Sequence, residues 1–369
     1  MFHESDLYET EVERYSRQII VPGIGIEGQK MLRKKRVLIV GCGGLGCPVI
    51  MYLSTCGLVN IGIVDHDTIE IHNLQRQVLF KEKDLKRYKV KVAEENIKEM
   101  NNTVNVVAYK TRIDKSNVEN IIKDYDIIVD CTDNIETRYC LSDACKLLKK
   151  DFICSSVLRW EGHLYVLPYT GPCYRCIYPV MKKSTTRCDE SGIVGPVCGL
   201  FGSLVGLELI KLVMEASSTK MIYYNGYTNL YHNIKLRDKK CDYCTNQKTS
   251  LEIKQPETNT TCPDKIDLES DVPEISWSEI LSCKEQFVII DVRSNLHFRM
   301  FRIKESLNYP LNEIEKNISE ISKIQKNIAV TCKKGITSKR AVRILEKYNI
   351  DAVSITGGLD EYKNQFLQN

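Results

Sequence analysis

Two periodicities organise this chain. Between residues 36 and 133, short apolar runs alternate with segments whose apolar residues recur every three or four positions. "RVLIVGCGGLG" is an unbroken apolar run ending in glycines, "CPVIMYLSTCGL" has helical spacing, and "NIGIVDHD" is a second apolar run that ends in acid. "VKVAEENIKEM" is amphipathic, while "VNVVAYK" and "YDIIVDCTD" read as two more strands. Strands alternating with helices predict a mostly parallel sheet with crossover helices, an α/β fold of Rossmann-like type. The block continues through "FICSSV", "HLYVLPY" and the apolar helix "VCGLFGSLVGLELIKLVM".

The periodicity stops over 245–275, which is polar, carries three prolines and reads as a linker. A second, smaller α/β block follows, with strands at "FVIIDVR", "NIAVTC" and "VSIT" and a helix over 338–348. The expected organisation is a first domain over 1–244, a linker over 245–275 and a second domain over 276–369. No repeat of solenoid type is present.

Composition narrows the class. With 369 residues, 43% hydrophobic and 27% charged, the chain is globular, with room for two or three domains. A net charge of +4 is too small to argue for nucleic-acid binding or a membrane surface. No apolar run of 18 residues is read along the chain, so no transmembrane helix is expected. The polar, acidic start "MFHESDLYET" resembles neither a signal nor a transit peptide. Of the 16 cysteines, most sit singly in apolar segments, such as Cys56, Cys131, Cys154 and Cys198. That distribution predicts a reducing, cytoplasmic compartment, with thiols used as buried hydrophobes, metal ligands or nucleophiles.

The loop "GCGGLG" fits G-x-G-x-x-G at Gly41, Gly43 and Gly46, between a strand and a helix, with Asp65 ending the next strand. Such a loop brings backbone N–H groups to phosphate while the acid takes a ribose hydroxyl. On these residues alone a dinucleotide oxidoreductase leads. "HNLQRQ" adds Asn73 and Arg76, "YKVKVAEEN" adds Lys89, and "CTDN" places Asp133 and Asn134 at a strand's carboxyl end. Hydride transfer needs no such set. Attack on an α-phosphate does, with cations to stabilise phosphate charge and a carboxylate to hold Mg²⁺. Together they favour an adenylating site.

Two C-x-x-C pairs, Cys173 with Cys176 and Cys241 with Cys244, supply four thiolates for one tetrahedral, structural Zn²⁺. A redox pair is the rival reading. Between them, Cys188 sits in the polar stretch "STTRCDESGIVGP", where Arg187 would favour its thiolate and Asp189 and Glu190 oppose it.

In order and spacing, "ERYSRQIIVPGIGIEGQ", "VLIVGCGGLG", "IVDHDTIEIHNLQRQVLF", "CTDN", "GPCYRC", "CDESGIVGP" and "CDYC" resemble the ubiquitin-activating-like adenylyltransferases that activate sulfur-carrier proteins. The resemblance covers about residues 10–245. It implies that Gly44, Asp65, His72, Asn73, Leu74, Gln75, Arg76, Lys89, Asp133 and Asn134 contact ATP or its Mg²⁺. It implies that Arg17 reaches a neighbouring subunit's ATP, hence a homodimer, and that Cys188 bonds covalently with the carrier. His72 stands where the family has serine, a place its backbone can still serve.

In "TCKKGITSKR", Cys332 heads a loop between an apolar run and a helical pattern. A phosphatase would need arginine six residues on; Ser338 is there instead. "IIDVRSNLHF", "SLNYPL" and "ITGGLDEY" resemble rhodanese-like domains, in which a ring of N–H groups cradles a persulfide. The helix N-terminus, Lys333 and Lys334 would favour that anion. The loop departs from the family by reading Gly335-Ile336-Thr337-Ser338. The combined resemblance implies adenylation of a ubiquitin-like carrier ending in Gly-Gly. Sulfur transfer from Cys332 would follow, loaded by a cysteine desulfurase or another donor, to give a thiocarboxylate. In the family this product serves tRNA wobble-uridine 2-thiolation and molybdopterin synthesis. No direct contact with nucleic acid or membrane is expected. The remaining alternatives are an activating enzyme for conjugation without sulfur transfer, an NAD-dependent oxidoreductase and a non-catalytic scaffold.

Overall fold

The computed structural model describes residues 7–180, 192–237, 241–245 and 272–367. The chain divides into two compact units, one up to Glu257 and one from Thr258 onward. In the first, eight strands form one sheet: β1 (Arg36–Val40), β2 (Asn60–Val64), β3 (Asn105–Tyr109), β4 (Ile127–Asp130), β5 (Asp151–Leu158), β6 (Glu161–Leu167), β7 (Lys220–Asn225) and β8 (Leu230–Lys235). Their order is β3-β2-β1-β4-β5-β6-β7-β8. The first five run parallel; β6, β7 and β8 are added antiparallel.

The unbroken apolar runs follow from burial on both faces. Along β1, Val37 and Ile39 enter one core while Leu38 and Val40 enter another, the period of two that a strand imposes. The first core is closed by the helices Gly46–Thr55, Lys89–Met100 and Gly195–Val213. The second is closed by Val118–Ile122 and Ile135–Leu147.

Two elements differ from the sequence expectation. The helix Gly195–Val213 is, by length and composition alone, long and apolar enough to cross a membrane, so the reading that no such run exists is corrected. Its buried face, Val197, Phe201, Val205 and Leu209, packs into the first core. Near its end Glu208 is buried and paired with Lys220 (2.7 Å) and Lys211 (3.0 Å). Burial opposes ionisation of Glu208, but the two lysines hold its carboxyl below the usual range. The β7–β8 hairpin was not foreseen. Its four-residue turn is held by the Asn225 carboxamide, which accepts from the N–H groups of Tyr227 and Thr228, with Asn229 left-handed.

The second unit is a five-stranded parallel sheet, order β11-β10-β12-β13-β9, from β9 (Glu274–Ile275), β10 (Phe287–Asp291), β11 (Leu307–Asn308), β12 (Asn327–Thr331) and β13 (Ala352–Ile355). Strand β9 pairs with β13, so the last residues assigned to the linker belong to this sheet. Residues 246–271 of that linker lie outside the described residues. The helix expected over 338–348 runs Ile336–Glu346. Gly335, at φ 80°, is its N-cap and starts it two residues early.

Candidate active site

In the first sheet β1 pairs with β2 on one side and β4 on the other. The loops after β1 and β4 therefore flank the point where strand order reverses, the crevice in which open α/β sheets bind ligands. Glycine is required there. Gly41 is left-handed, and a Cβ on it would press on the Cys131 carbonyl at 3.0 Å. A Cβ on Gly46 would overlap the Gly41 carbonyl oxygen. The loop is thus as tight as backbone allows, which lets phosphate approach its N–H groups.

Most of the foreseen residues converge on this loop. Asp65 accepts from the backbone N–H groups of Cys42 (2.7 Å) and Asp67 (2.8 Å), so the strand-end acid is locked against the glycines. Lys89 is buried and donates to Asp67 (2.9 Å). Burial pushes the Asp67 carboxyl up, yet the Lys89 ammonium brings it below the ordinary value. Arg76 donates to the His72 carbonyl (3.1 Å), and its stem lies 3.1 Å from where a Gly44 Cβ would stand. His72 contributes this backbone oxygen while its exposed ring pairs with Glu70. Asn73 is buried and accepts from the Glu70 N–H (3.1 Å); Leu74 packs on the first core, and Gln75 is exposed. Asp133 is exposed, and the Asn134 side chain caps the helix Ile135–Leu147 through the Thr137 N–H (3.0 Å). Arg17 is exposed in the last turn of the helix Glu9–Ile19, whose Tyr15 and Gln18 anchor it by bonds to Asn101 and Gln29.

Gln77 and the Asp130–Arg138 pair were not foreseen at this site. Gln77 is buried, lies 4.0 Å from where a Gly43 Cβ would stand, and leaves its amide oxygen without a partner. An orphaned buried amide beside a phosphate-type loop fits a site built for a polar ligand. Asp130, at the end of β4, is fully buried. It accepts from Arg138 Nε (2.7 Å), Thr132 N (2.8 Å) and Thr132 Oγ1 (2.6 Å). Arg138 also donates to the carbonyls of Thr132 and Ser155. Burial disfavours the Arg138 charge, but Asp130 raises its pKa above the ordinary value. This pair fixes the turn that carries Asp133 and Asn134. The thiols around it are inert: burial pushes Cys47 up to about 12 and Cys198 to about 11.

The four C-x-x-C sulfurs close into one cluster. Cys173 to Cys176 is 3.7 Å, Cys173 to Cys241 3.7 Å, Cys176 to Cys244 3.6 Å and Cys241 to Cys244 3.8 Å. A tetrahedral zinc with bonds of about 2.3 Å demands edges of about 3.8 Å, so the set fits the metal. The Cys241 N–H also points at Cys176 Sγ (3.3 Å). Arg175 grips the buried Asp143 through both oxygens, and Tyr174 N donates to Ser142, which bolts the first pair to the helix Ile135–Leu147. Metal analysis is expected to find one zinc per chain, absent from Cys176→Ala. Stripping it is expected to cost roughly 3 kcal/mol in unfolding of the first unit. Cys188 lies outside the described residues.

In the second unit Cys332 follows β12 and is 3% exposed. The first turn of the helix Gly358–Phe366 clamps its loop. Leu359 N donates to the Cys332 carbonyl (2.8 Å) and Asp360 N to that of Lys333 (2.9 Å). A Cβ on the left-handed Gly358 would overlap the Cys332 carbonyl oxygen. Trp277 Nε1 holds the Gly358 carbonyl (2.6 Å) from below. Lys333, Lys334 and Ile336 are exposed, while Ser338 is buried with its hydroxyl 3.5 Å from Cys332 Sγ. Where a phosphatase would carry arginine, this loop offers the sulfur a neutral hydroxyl.

A glycine-loop nucleotide fold and a loop-cradled cysteine on one chain define a nucleotide-dependent enzyme with a second, sulfur-handling unit. The comparisons agree. The ThiF family model matches residues 15–246, and the rhodanese-like domain model matches 277–365. The Arabidopsis thaliana protein named adenylyltransferase and sulfurtransferase MOCS3 is 35% identical over 393 residues, covering 97% of this chain and 85% of its own. The Culex quinquefasciatus protein of that name is 36% identical over 363 residues, covering 92% and 83%. Among solved structures, Escherichia coli MccB with AMPCPP and selenomethionine MccA matches with a TM-score of 0.56 at 23% identity. It covers 64% of this chain and 75% of its own, and shares the fold. The chain belongs to the ThiF family and carries a rhodanese-like domain. It is an enzyme, an adenylyltransferase joined to a sulfurtransferase.

Proposed function

We propose that the chain activates the C-terminal carboxylate of a ubiquitin-like carrier with ATP and then delivers sulfur to it from a Cys332 persulfide. The observation that carries this is the pairing, on one polypeptide, of the Gly41–Gly46 loop with the clamped Cys332 loop. Relatives named for both activities span nearly the whole chain, and MccB has been crystallised with ATP. The carrier's carboxylate attacks the α-phosphate, giving an acyl-adenylate and pyrophosphate. Lys89 and Arg76 spread the phosphate charge, the glycine loop supplies N–H donors, and Asp65 orients the ribose. Asp133 would hold Mg²⁺, which would supply neutralisation of the charge developing on the phosphates. Asn134 steadies that turn. Arg17 completes the partner's site in a homodimer, and the Cys188 thiolate attacks the acyl-adenylate to form a thioester, with AMP as the leaving group. Zn²⁺ on Cys173, Cys176, Cys241 and Cys244 is structural.

The outer sulfur of the Cys332 persulfide attacks the acyl thioester, the Cys188 thiolate leaves, and the carrier is joined to Cys332 through an acyl disulfide. A thiol reductant then attacks Cys332 Sγ and expels the carrier as its C-terminal thiocarboxylate, and a second thiol reduces the disulfide left on Cys332. The thiocarboxylate is the sulfur source for tRNA 2-thiolation and molybdopterin synthesis. Tethering both loops by the 246–271 segment raises the effective concentration of one at the other. A cysteine desulfurase or an equivalent donor reloads the thiol, in a reducing compartment. The test is ATP–pyrophosphate exchange with a Gly-Gly carrier. Exchange is expected with the intact carrier and to vanish when its last glycine is removed. Exchange without any carrier would overturn the reading.

A further inference from the structure

Beneath Cys332 lie two buried hydroxyls that packing alone does not explain. Cys332 Sγ donates to Ser338 Oγ at 3.5 Å, and Ser338 Oγ is 2.9 Å from Ser354 Oγ. Ser338 and Ser354 are both fully buried. Ser338 stands in the first turn of the helix Ile336–Glu346 and Ser354 on β13, next to β12 in the sheet. Their surroundings are apolar: Val330, Ala341 and Val342 belong to the same core. Alanine would fill either site, and a buried hydroxyl is costly unless it is bonded. The two lysines of the loop are exposed, and the side chain bonded to Cys332 Sγ is the neutral Ser338 hydroxyl.

A hydroxyl differs from a fixed N–H in that rotation turns it from acceptor to donor. In the thiol state the S–H points at Ser338. When the sulfur is anionic, Ser338 can donate to it while Ser354 donates to Ser338, so two aligned dipoles face the charge. Hydrogen bonds to charged groups are worth more than neutral ones, most of all where water is excluded.

Building on the persulfide reading of Cys332, we propose that Ser338 and Ser354 form a reversing hydroxyl relay that stabilises the Cys332 thiolate as the leaving group in sulfur release. When a nucleophile takes the outer sulfur of the Cys332 persulfide, the S–S bond breaks and its electron pair returns to Sγ. No proton need move; the Ser338 hydroxyl rotates to meet the new charge. Ser338 touches the reacting sulfur and is catalytic. Ser354 acts through Ser338 and is a positioning residue.

The full chain can be assayed with thiosulfate as donor and cyanide as acceptor. Sγ attacks the outer sulfur of thiosulfate and releases sulfite; cyanide then takes that sulfur as thiocyanate and leaves the thiolate. At saturating thiosulfate, Ser338→Ala is expected to lower turnover about 10–100-fold and Ser354→Ala about 3–10-fold. The double variant is expected to match Ser338→Ala within about 2-fold, because the second hydroxyl works only through the first. Ser338→Thr, which keeps the hydroxyl, is expected to restore turnover to within about 3-fold of wild type. Unfolding midpoints should stay together. Wild-type turnover in Ser338→Ala overturns the relay. So do losses that multiply in the double variant and follow a falling midpoint. A wild type no more active than Cys332→Ala overturns the persulfide reading, and the relay with it. Should Ser338→Ala fail to fold, Ser354→Ala decides: turnover lost at an unchanged midpoint supports the relay, and unchanged turnover overturns it.

Discussion

Cys332→Ala is expected to leave a carrier that is adenylated but never thiolated. With Mg²⁺-ATP, a Gly-Gly carrier and a sulfur donor, wild type should yield carrier heavier by one oxygen-to-sulfur exchange in mass spectrometry. The variant should yield less by at least about 10³-fold, because among the described residues no second thiol stands at the end of β12. AMP release and pyrophosphate exchange should persist. The substitution removes one buried sulfur from a loop held by backbone bonds from Leu359 and Asp360, so the second unit should lose only about 1 kcal/mol. The contrast between lost sulfur and kept adenylation makes the result specific. Equal thiocarboxylate from both proteins would mean that sulfur reaches the adenylate without this domain. The conjugation reading would take the lead if AMP formed and neither protein changed the carrier's mass.

The parts of this design that were legible in the sequence are those where chemistry is local. The Gly41–Gly46 loop announces itself because a strand, a tight turn and a helix must follow one another within a dozen residues. The metal set is legible because each C-x-x-C places two thiolates on one turn and two such pairs make one tetrahedral set, and the fold brings the two pairs together. Cys332 was visible as the head of a strand-to-helix loop.

What escaped was non-local or silent. Asp130 and Arg138 carry no local signal, since nothing in their eight-residue separation says that both are buried. Ser338 and Ser354 are 16 residues apart on different elements, and hydroxyls carry no pattern. Strand β9 is two residues long and owes its existence to β13. Strand β8 was missed because it is an exposed edge without an apolar run. The helix Gly195–Val213 carries no charged residue except Glu208 and Lys211. The fold pairs Glu208 with Lys211 and Lys220.

Breaking the Asp130–Arg138 pair should be the most damaging single change to the first unit. Arg138→Met nearly conserves volume, but it removes the guanidinium that lies 5.9 Å from the Tyr174 ring centre and strands a fully buried carboxylate with only Thr132 as donor. It also orphans the carbonyls of Thr132 and Ser155. Removing one partner of a buried ion pair costs about 3–5 kcal/mol, a large share of the roughly 5–15 kcal/mol by which a domain is stable. Urea unfolding should show the transition of the first unit displaced by that amount, with the second unit's transition unmoved. Carrier-dependent pyrophosphate exchange should fall with it, since the turn that carries Asp133 and Asn134 loses its clamp. The double variant Asp130→Asn/Arg138→Met separates charge from packing. With both charges gone, stability should return to within about 2 kcal/mol of wild type, because a neutral pair no longer bears the desolvation of an unmatched ion. Exchange should not return in step, since the amide introduced at position 130 can still accept from Thr132 N and Oγ1 through one oxygen but the Arg138 donors that held the Thr132 and Ser155 carbonyls are gone. Recovery of stability without recovery of exchange would identify the Asp130–Arg138 pair as the clamp through which the fold positions the nucleotide turn. An Arg138→Met protein as stable as wild type would show that the pair adds nothing to the fold.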